Sequence, residues 1–381
     1  MFQSWYATCP RGVEPALEAE LRALGAKGIR SQVGMVRFTG EREVALRACL
    51  DLRCALRVLE PVGEFDAPDA DALYAGARAL PWSELVAPGQ TIAVSASGRT
   101  PQLSHTHFVA LRIKDAVCDR LRDDRGARPD VDPRRPDVLL VAHLGNGRCS
   151  LSLDLAGDLL SNRGYRVRTV EAPLREALAA AVVLLSGWDR AQPLHDPVCG
   201  SGTLAIEAAL LALQKAPNAE RRLACESWPR VRAHDGPLLV RLRAELDERT
   251  RAAQAVGIPP ILASDRDSEA VAATQANVRA AALGARVRVV QADARQLQPL
   301  SPPGQLVLNV PYGDRLEAGG RKQLKSFYHA LGAGLRRLSG HRAAILSASE
   351  DFESAFGVRP AGRPRELWNG PLRCGLWLYE F

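Results

Sequence analysis

Short apolar runs alternate with helix-periodic stretches in the part of the chain that follows Pro173. We expect strands at Pro193 to Asp196, Ile261 to Asp265, Val287 to Gln291, Gln305 to Asn309 and Arg342 to Ser347. This alternation is typical of a doubly wound parallel sheet. The turn signal Asn369-Gly370-Pro371 separates two further strand-like runs, so the sheet is expected to end in an antiparallel hairpin. The segment from Pro217 to Gly257 is predicted to be an insertion with an amphipathic helix near Leu238 to Ala253.

The first 165 residues carry a different pattern, in which strands and helices form two small α+β units. In the first unit, strands are predicted at Trp5 to Thr8, Met35 to Thr39 and Arg57 to Val62, with helices at Val13 to Leu24 and Glu41 to Leu50. Pro61 to Asp71 is expected to be a linker, because it combines prolines, a glycine and acids. The predicted domains are therefore residues 1–65, 66–165 and 170–381.

Composition narrows the class of protein. The chain has 381 residues, of which 46% are hydrophobic and 24% charged, which is typical of a globular protein. The formal net charge of +7 favours a polyanionic partner. The eight cysteines include no C-x-x-C pair, so we expect neither a metal site nor disulfides. No apolar run approaches a membrane span and no signal peptide is evident, so the expected location is the cytoplasm without membrane attachment. The sequence gives no indication of an oligomeric state.

A glycine-rich turn lies between the first predicted strand and the helix that begins at Thr203. It runs Asp196-Pro197-Val198-Cys199-Gly200-Ser201-Gly202-Thr203. Two glycines spaced G-x-G let the backbone approach a ligand at the carboxyl end of a strand. The third glycine of a dinucleotide fingerprint and the lysine of a phosphate loop are missing, so a pyrophosphate is not expected. The alternative is a tight turn that only packs strand against helix.

Acidic residues follow the next two predicted strands. Asp265 ends the second strand, where a carboxylate can accept hydrogen bonds from ribose hydroxyls, and Asp267 is its rival for that position. Asp293 follows the third strand, where it is expected either to bond an adenine amino group or to cap a helix.

The fourth predicted strand ends in Asn309-Val310-Pro311-Tyr312. Chemistry on a planar amine needs an acceptor for the N–H, a fixed backbone carbonyl and a ring on which the base can stack. Asn309, the Val310 carbonyl and Tyr312 would supply these. The alternative is a surface turn with a tyrosine that only packs.

Together these strand ends resemble the Rossmann-like S-adenosylmethionine-dependent methyltransferases that modify exocyclic nitrogens through an N-P-P-Y motif. Val310 departs from the motif, because it stands where most members carry the first proline. The resemblance implies that the amine is held by Asn309, Val310, Pro311 and Tyr312. It implies a cofactor site made of Asp196, Pro197, Cys199, Gly200, Ser201, Gly202, Thr203, Asp265, Asp293, Ala294 and Asn309.

The amino-terminal part is similar to a ferredoxin-like unit followed by a THUMP RNA-binding domain. The resemblance is carried by Phe108 to Ala116, Arg128 to Asp132, Ser150 to Leu155 and Arg163-Gly164-Tyr165-Arg166. The whole chain most resembles the THUMP-containing guanine-N2 methyltransferases of large-subunit ribosomal RNA. The cations expected to contact RNA phosphates are Arg99, Arg112, Lys114, Arg321, Lys322 and Lys325.

The resemblance implies methyl transfer from S-adenosylmethionine to the N2 amine of a guanine in structured RNA, with 23S ribosomal RNA as the leading substrate. A THUMP-type transfer RNA guanine-N2 methyltransferase is the alternative within the same chemistry. An alternative of another class is a catalytically silent RNA-binding or ribosome assembly factor, which the departure at Val310 motivates.

Overall fold

Two seven-stranded sheets with flanking helices form the framework of the chain. The computed structural model describes residues 3–170, 173–312 and 320–381. The elements of the amino-terminal part are β1 (Gln3–Thr8), α1 (Glu14–Ala23), β2 (Lys27–Gln32), β3 (Met35–Gly40), α2 (Arg42–Asp51), β4 (Arg57–Asp66), α3 (Ala70–Ala79), α4 (Trp82–Leu85), β5 (Ile92–Gly98), α5 (Thr106–Arg125), β6 (Val138–Gly145) and β7 (Arg148–Asp154). Those of the carboxyl-terminal part are α6 (Glu176–Leu185), β8 (Leu194–Asp196), α7 (Thr203–Ala212), α8 (Pro229–Val256), β9 (Ile261–Asp265), α9 (Ser268–Ala280), β10 (Val287–Gln291), β11 (Gln305–Asn309), α10 (Gly320–Leu335), β12 (Arg342–Ser347), α11 (Phe352–Phe356), β13 (Arg365–Asn369) and β14 (Leu372–Glu380).

The first sheet has the order β2-β3-β1-β4-β7-β6-β5 and spans both predicted α+β units. Strand β4 pairs with β1 on one side and with β7 on the other, so it joins the two units edge to edge. The predicted linker over Pro61 to Asp71 is therefore wrong for its first half, because Pro61 to Asp66 complete β4. Pro61 is accommodated where the pairing with β7 shifts register, and a bulge is a position at which a strand tolerates proline. The rest of the segment turns into α3, which Asp69 caps through the amides of Asp71 and Ala72.

Strand β2 was not predicted from the sequence. It lies at the edge of the first sheet and pairs only with β3. Only Ile29 is even partly buried in it, and the other five residues are exposed. An edge strand that faces water on both sides lacks the apolar alternation by which strands are recognised.

The second sheet has the order β10-β9-β8-β11-β12-β14-β13. The pairs from β10 to β12 are parallel, and β12, β14 and β13 pair antiparallel. The doubly wound sheet and its terminal hairpin are thereby confirmed. Strands β9, β10, β11 and β12 have the predicted bounds. The apolar residues of β11 and β12 are buried inside the sheet, whereas β10 is a partly exposed edge strand.

The insertion after α7 contains one helix of 28 residues, α8, which begins at Pro229. The predicted helix began later, because Gly236-Pro237 favours a helix start, whereas α8 continues through Pro237. Along its length α8 faces the amino-terminal part. Arg249 forms a bidentate ion pair with Asp51 of α2 at 2.5 and 2.6 Å, and Arg241 pairs with Glu43 at 2.7 Å.

One hydrophobic core crosses from the amino-terminal sheet into the carboxyl-terminal sheet. The same cluster of buried residues includes Trp5 and Val58 of the first sheet, Trp228 beside α8, and Leu194 and Val307 of the second sheet. The two parts therefore share one buried core. No helix of the described residues has the length and apolar character of a membrane span.

Candidate functional site

The carboxyl ends of β8, β9, β10 and β11 lie along one edge of the second sheet. Asp196, Asp265 and Asn309 are the last residues of three of these strands. They border a cleft of about 520 Å³ and a smaller inner cavity of about 70 Å³. The chain reverses strand order between β8 and β11, and an open α/β sheet binds ligands at such a point. Of the other predicted cofactor residues, Pro197, Gly200, Asp293 and Ala294 line the cleft, and Cys199, Gly200, Ser201 and Thr203 line the inner cavity.

The glycine turn is held by hydrogen bonds to the neighbouring strand and to α9. The Cys199 amide donates to the Ser264 carbonyl at 3.0 Å, and the Gly200 amide donates to Asp265 Oδ2 at 2.9 Å. Gly202 has φ +82°, and a Cβ built there would lie 2.7 Å from Thr274 Cγ2. Position 202 therefore requires glycine both for its backbone conformation and for its contact with α9.

Asp196 is 1% exposed, and its Oδ1 has no hydrogen-bond partner. Burial raises the pKa of this carboxyl well above its ordinary value, and the charge of Asp265 raises the pKa further. A buried acceptor of this kind is strongly favoured to bind a cationic or N–H donor group. The preceding His195 contacts Ser264 Oγ at 2.8 Å, and burial lowers its pKa to about 4, so the imidazole is neutral at pH 7.

Asp265 and Asp267 both line the cleft, but their local roles differ. Asp265 receives the Gly200 amide on Oδ2 and the Asp267 amide on Oδ1 at 3.1 Å. Each carboxylate oxygen has a second lone pair, so both can still accept from a ligand. Asp267 is the N-cap of α9 and accepts from the Glu269 amide. Both carboxylates thus have local roles, Asp265 in holding the glycine turn and Asp267 in capping α9, and the assignment of Asp265 to the ribose hydroxyls stays a prediction.

Asp293 caps a short 3-10 turn over Ala294–Gln296 and accepts from the amide and the guanidinium of Arg295. These hydrogen bonds hold the pKa of Asp293 below its ordinary value. The helix-cap alternative is therefore present in the structure. Asp293 nevertheless lines the cleft, so its carboxylate also borders the space where an adenine would lie.

Asn309 lines both the cleft and the inner cavity, and its buried Oδ1 has no hydrogen-bond partner. Val310 is fully buried, and its amide donates to the Leu346 carbonyl of β12 at 3.1 Å. The Pro311 carbonyl accepts from the Tyr328 hydroxyl at 2.6 Å. Tyr312 is 5% exposed, and its hydroxyl accepts from Asn369 at 3.2 Å. In this conformation Asn309 and Pro311 border the cleft, whereas the ring of Tyr312 is buried beside it.

Sequence analysis did not single out Thr274 and Asn277 of α9, both of which are fully buried. Thr274 Oγ1 donates to the Gly200 carbonyl at 2.8 Å, and Asn277 Nδ2 donates to the Ser201 carbonyl at 2.9 Å. They hold the glycine turn from the side of α9. Their spacing in the sequence could have indicated this role, because two polar residues one helical turn apart lie among the buried alanines and valines of α9.

The predicted RNA-binding cations differ in their pairing. Arg112 bonds Asp71 and the Ala70 carbonyl, and Lys114 pairs with Asp115. Arg321 and Lys325 both pair with Asp351. Arg99 and Lys322 are exposed, and no acidic partner is found for them among the described residues.

Comparison with known proteins yields family matches along the whole chain. Residues 163–376 match the RMKL-like methyltransferase domain, residues 67–154 the THUMP domain, and residues 4–59 the RlmL ferredoxin-like domain. The ribosomal RNA large subunit methyltransferase K/L of Syntrophotalea carbinolica is 41% identical over 99% of this chain and 53% of that protein. The protein of the same name from Methylococcus capsulatus is 39% identical over 100% of this chain and 51% of that protein. The chain thus spans about half the length of the curated relatives it matches.

Solved structures give the same grouping. SMU.472, a candidate methyltransferase crystallised with SAH, superposes with a TM-score of 0.88 at 30% identity, covering 100% of this chain and 98% of that one. A possible methylase from Clostridium difficile 630 gives a TM-score of 0.87 at 28% identity, with the same coverage. Because the matched methyltransferase domain covers more than half of the chain, with the cleft inside it, the chain belongs to the RMKL-like methyltransferase family.

Proposed function

We propose that this chain transfers a methyl group from S-adenosylmethionine to the exocyclic N2 amine of a guanine in structured RNA, and that this RNA is 23S ribosomal RNA in the cytoplasm. The observation that carries the proposal is the pair of buried, unpartnered acceptors Asp196 Oδ1 and Asn309 Oδ1. Both residues line the inner cavity, at the ends of neighbouring strands. Two acceptors without donors fit a ligand pair that brings two N–H groups into one cavity.

The residues present fit the cofactor. Asp196 would hold its ammonium group, Asp265 its ribose hydroxyls, and Asp293 its adenine amino group. The cofactor supplies an electrophilic methyl group on a sulfonium when it is bound, so the protein needs no activated side-chain nucleophile. Positive charge on the ammonium also matches the acidic lining that Asp196, Asp265 and Asp293 give to the site.

The chain's own residues then act on the base. Asn309 Oδ1 would accept from the exocyclic N–H and keep the nitrogen lone pair directed into the inner cavity. The Val310 carbonyl would hold the second N–H. Tyr312 would provide an aromatic face for the flipped base after a rearrangement that uncovers its ring, which is 5% exposed in this structure. The proton can leave to water after methyl transfer, so a strong base is unnecessary. The rate of methyl transfer then comes from holding the amine close to the methyl group, which raises their effective concentration.

The substrate assignment is supported by the amino-terminal part and by the names of the relatives. The THUMP and ferredoxin-like matches lie in one sheet that shares its core with the methyltransferase domain. The curated relatives are named as large-subunit ribosomal RNA methyltransferases. Arg99 and Lys322 are the cations of the predicted set best able to contact phosphates, because the others already pair with acids.

The test is tritiated methyl transfer from S-adenosylmethionine onto separate ribosomal and transfer RNA pools, taken from cells that lack the protein, followed by nucleoside analysis. We expect label in N2-methylguanosine of large-subunit RNA. Label only in transfer RNA would replace the ribosomal substrate with the transfer RNA alternative. Cofactor binding without label in either pool would favour the silent RNA-binding or assembly factor.

A further inference from the structure

The segment Arg163 to Val170, which follows the first sheet and its connecting loop, lies against the glycine turn. Its Arg166 extends one guanidinium group to three acceptors. Nε donates to Glu176 Oε1 at 2.9 Å, Nη1 donates to Ser201 Oγ at 2.9 Å, and Nη2 donates to the Leu174 carbonyl at 2.8 Å. One side chain therefore ties the segment both to the glycine turn and to the start of α6.

Asn277 grips the same segment from the opposite side. Its Oδ1 accepts from the amides of Val167 and Arg168 at 2.9 Å each. Its Nδ2 donates to the carbonyls of Arg168 and Ser201 at 2.8 and 2.9 Å. All four hydrogen-bonding positions of this fully buried amide are used, so its orientation is fixed.

The start of the segment is anchored on α7, the helix that the glycine turn opens. Tyr165 donates its hydroxyl to Glu207 Oε1 at 2.9 Å, and Arg163 lies 3.6 Å from the same oxygen. Side chains of Arg163 and Glu207 are 1% and 0% exposed. The Arg163-Gly164-Tyr165-Arg166 motif is thus embedded in the methyltransferase domain, with each of its three long side chains contacting that domain.

These contacts converge on Ser201, the residue between the two glycines. Its carbonyl is held by Asn277 and its hydroxyl by Arg166. Glycines on both sides give the turn wide conformational freedom, and within the turn the Gly202 amide donates to the Cys199 carbonyl at 2.7 Å. The contacts of Arg166 and Asn277 with Ser201 restrict the turn further from outside. Such preorganisation strengthens ligand binding because less ordering is required when the ligand arrives.

We propose that Arg166 is a positioning residue for the cofactor site, which acts through Ser201 to fix the glycine turn. The segment at the start of the matched methyltransferase domain then contributes to cofactor affinity through the glycine turn. This inference rests on the proposed function, since it assigns the turn to S-adenosylmethionine.

The test is calorimetric titration of the full chain with S-adenosylhomocysteine, alongside thermal unfolding of each variant. Arg166→Met should weaken binding about tenfold or more, the equivalent of one charge-assisted hydrogen bond. Arg166→Lys should restore part of the affinity, because an ammonium keeps the charge beside Glu176 but cannot serve three acceptors at once. Arg168→Ala is the matched control, since Asn277 contacts only its backbone, and it should bind as the wild type does.

Ser201→Ala decides whether Arg166 acts through the turn. If it does, the double variant Arg166→Lys, Ser201→Ala should bind about as weakly as the weaker single variant, whereas independent effects would multiply. Multiplying losses, or an Arg166→Lys affinity within twofold of wild type, would overturn the proposal. Should Arg166→Met fail to fold, Arg166→Lys and Ser201→Ala still give both comparisons.

The wild-type titration separates this inference from the proposed function. If the wild type does not bind S-adenosylhomocysteine, the proposed function fails. If the wild type binds and the Arg166 variants bind equally well with lowered unfolding temperatures, only the positioning role fails, and Arg166 is structural.

Discussion

At the scale of single residues, Asp196 combines complete burial with an oxygen that has no partner. Such a carboxyl lowers the stability of the ligand-free fold, whichever protonation state it takes. If its charged form is lost on folding, the proton must be released again when a cationic ligand binds. Asp196 therefore lowers the stability of the ligand-free protein while it favours ligand binding, as is common for residues of functional sites.

Asp196→Asn should stabilise the ligand-free protein, because a neutral amide avoids the burial of a charge. We expect a gain of about 1–3 kcal/mol in the free energy of unfolding near pH 8. Burial raises the pKa of Asp196 above the ordinary 3.8. Between the unfolded and folded pKa values the folded state holds more protons, so wild-type stability falls as pH rises through that interval. The advantage of the variant should therefore grow with pH.

Thermal unfolding of both proteins at pH 5 and pH 8 checks this expectation. Calorimetric titration with S-adenosylhomocysteine measures the ligand affinity of both proteins. The variant should be the more stable protein and the weaker binder. A variant that is less stable than wild type at pH 8 would contradict the role of burial in setting this pKa.

Asn309→Ala should affect turnover and spare cofactor affinity. The unpartnered Oδ1 is placed to accept from the amine, so its removal raises the barrier by misplacing the nucleophile. Loss of one positioned polar group reduces kcat by roughly 10²-fold or more. Methyl transfer under single-turnover conditions measures the effect, and calorimetry provides the internal control. Full turnover in Asn309→Ala would exclude Asn309 from the reaction.

At the scale of elements, the glycine turn packs closely against α9 because Gly202 has no side chain. Gly202→Ala places a methyl group 2.7 Å from Thr274 Cγ2 at φ +82°. Gly89→Ala is a matched control, because Gly89 has φ +80° and nothing within 4 Å of a built Cβ. The control should lose only the ~1–2 kcal/mol of the left-handed backbone.

Gly202→Ala should lose more stability than this control and should also bind S-adenosylhomocysteine weakly, since the turn must move away from α9. Chemical denaturation measures the first effect and calorimetry the second. Equal losses in the two variants would show that Thr274 yields without disturbing the turn.

Helices and strands were predictable where burial requires a regular pattern of apolar residues in the sequence. Strands β11 and β12 are apolar because most of their residues are buried, and their bounds follow directly. Strand β2 was missed because it is an exposed edge strand without apolar alternation. The second half of β4 was missed because its pairing partner, β7, is distant in sequence. In the site, strand ends located Asp196, Asp265 and Asn309. Thr274 and Asn277 were missed, because their roles rest on contacts that the folded chain creates across long separations. Arg166 was singled out only for the resemblance to a THUMP domain, and its contact with the glycine turn was not predicted.

At the scale of the whole molecule, the continuous core predicts cooperative unfolding. The amino-terminal sheet, α8 and the second sheet share buried residues, and Arg249 with Asp51 adds a bidentate ion pair at the α2–α8 contact. We therefore expect one calorimetric unfolding transition for the chain. S-adenosylhomocysteine should shift that entire transition upward, since it binds only the folded state. Two separate transitions, of which only one responds to the ligand, would contradict a shared core.

The departure from the N-P-P-Y motif at Val310 has a consequence for replacing this residue with the proline of the motif. The Val310 amide donates to the Leu346 carbonyl, and a proline has no such hydrogen. Val310→Pro would lose this bond and leave a buried acceptor, a loss of about 1–3 kcal/mol. The stiffer unfolded chain returns only about 0.4–1 kcal/mol. The residue that is usual elsewhere in the family would thus be the poorer one here, and sequence consensus is an unsafe guide to engineering this position.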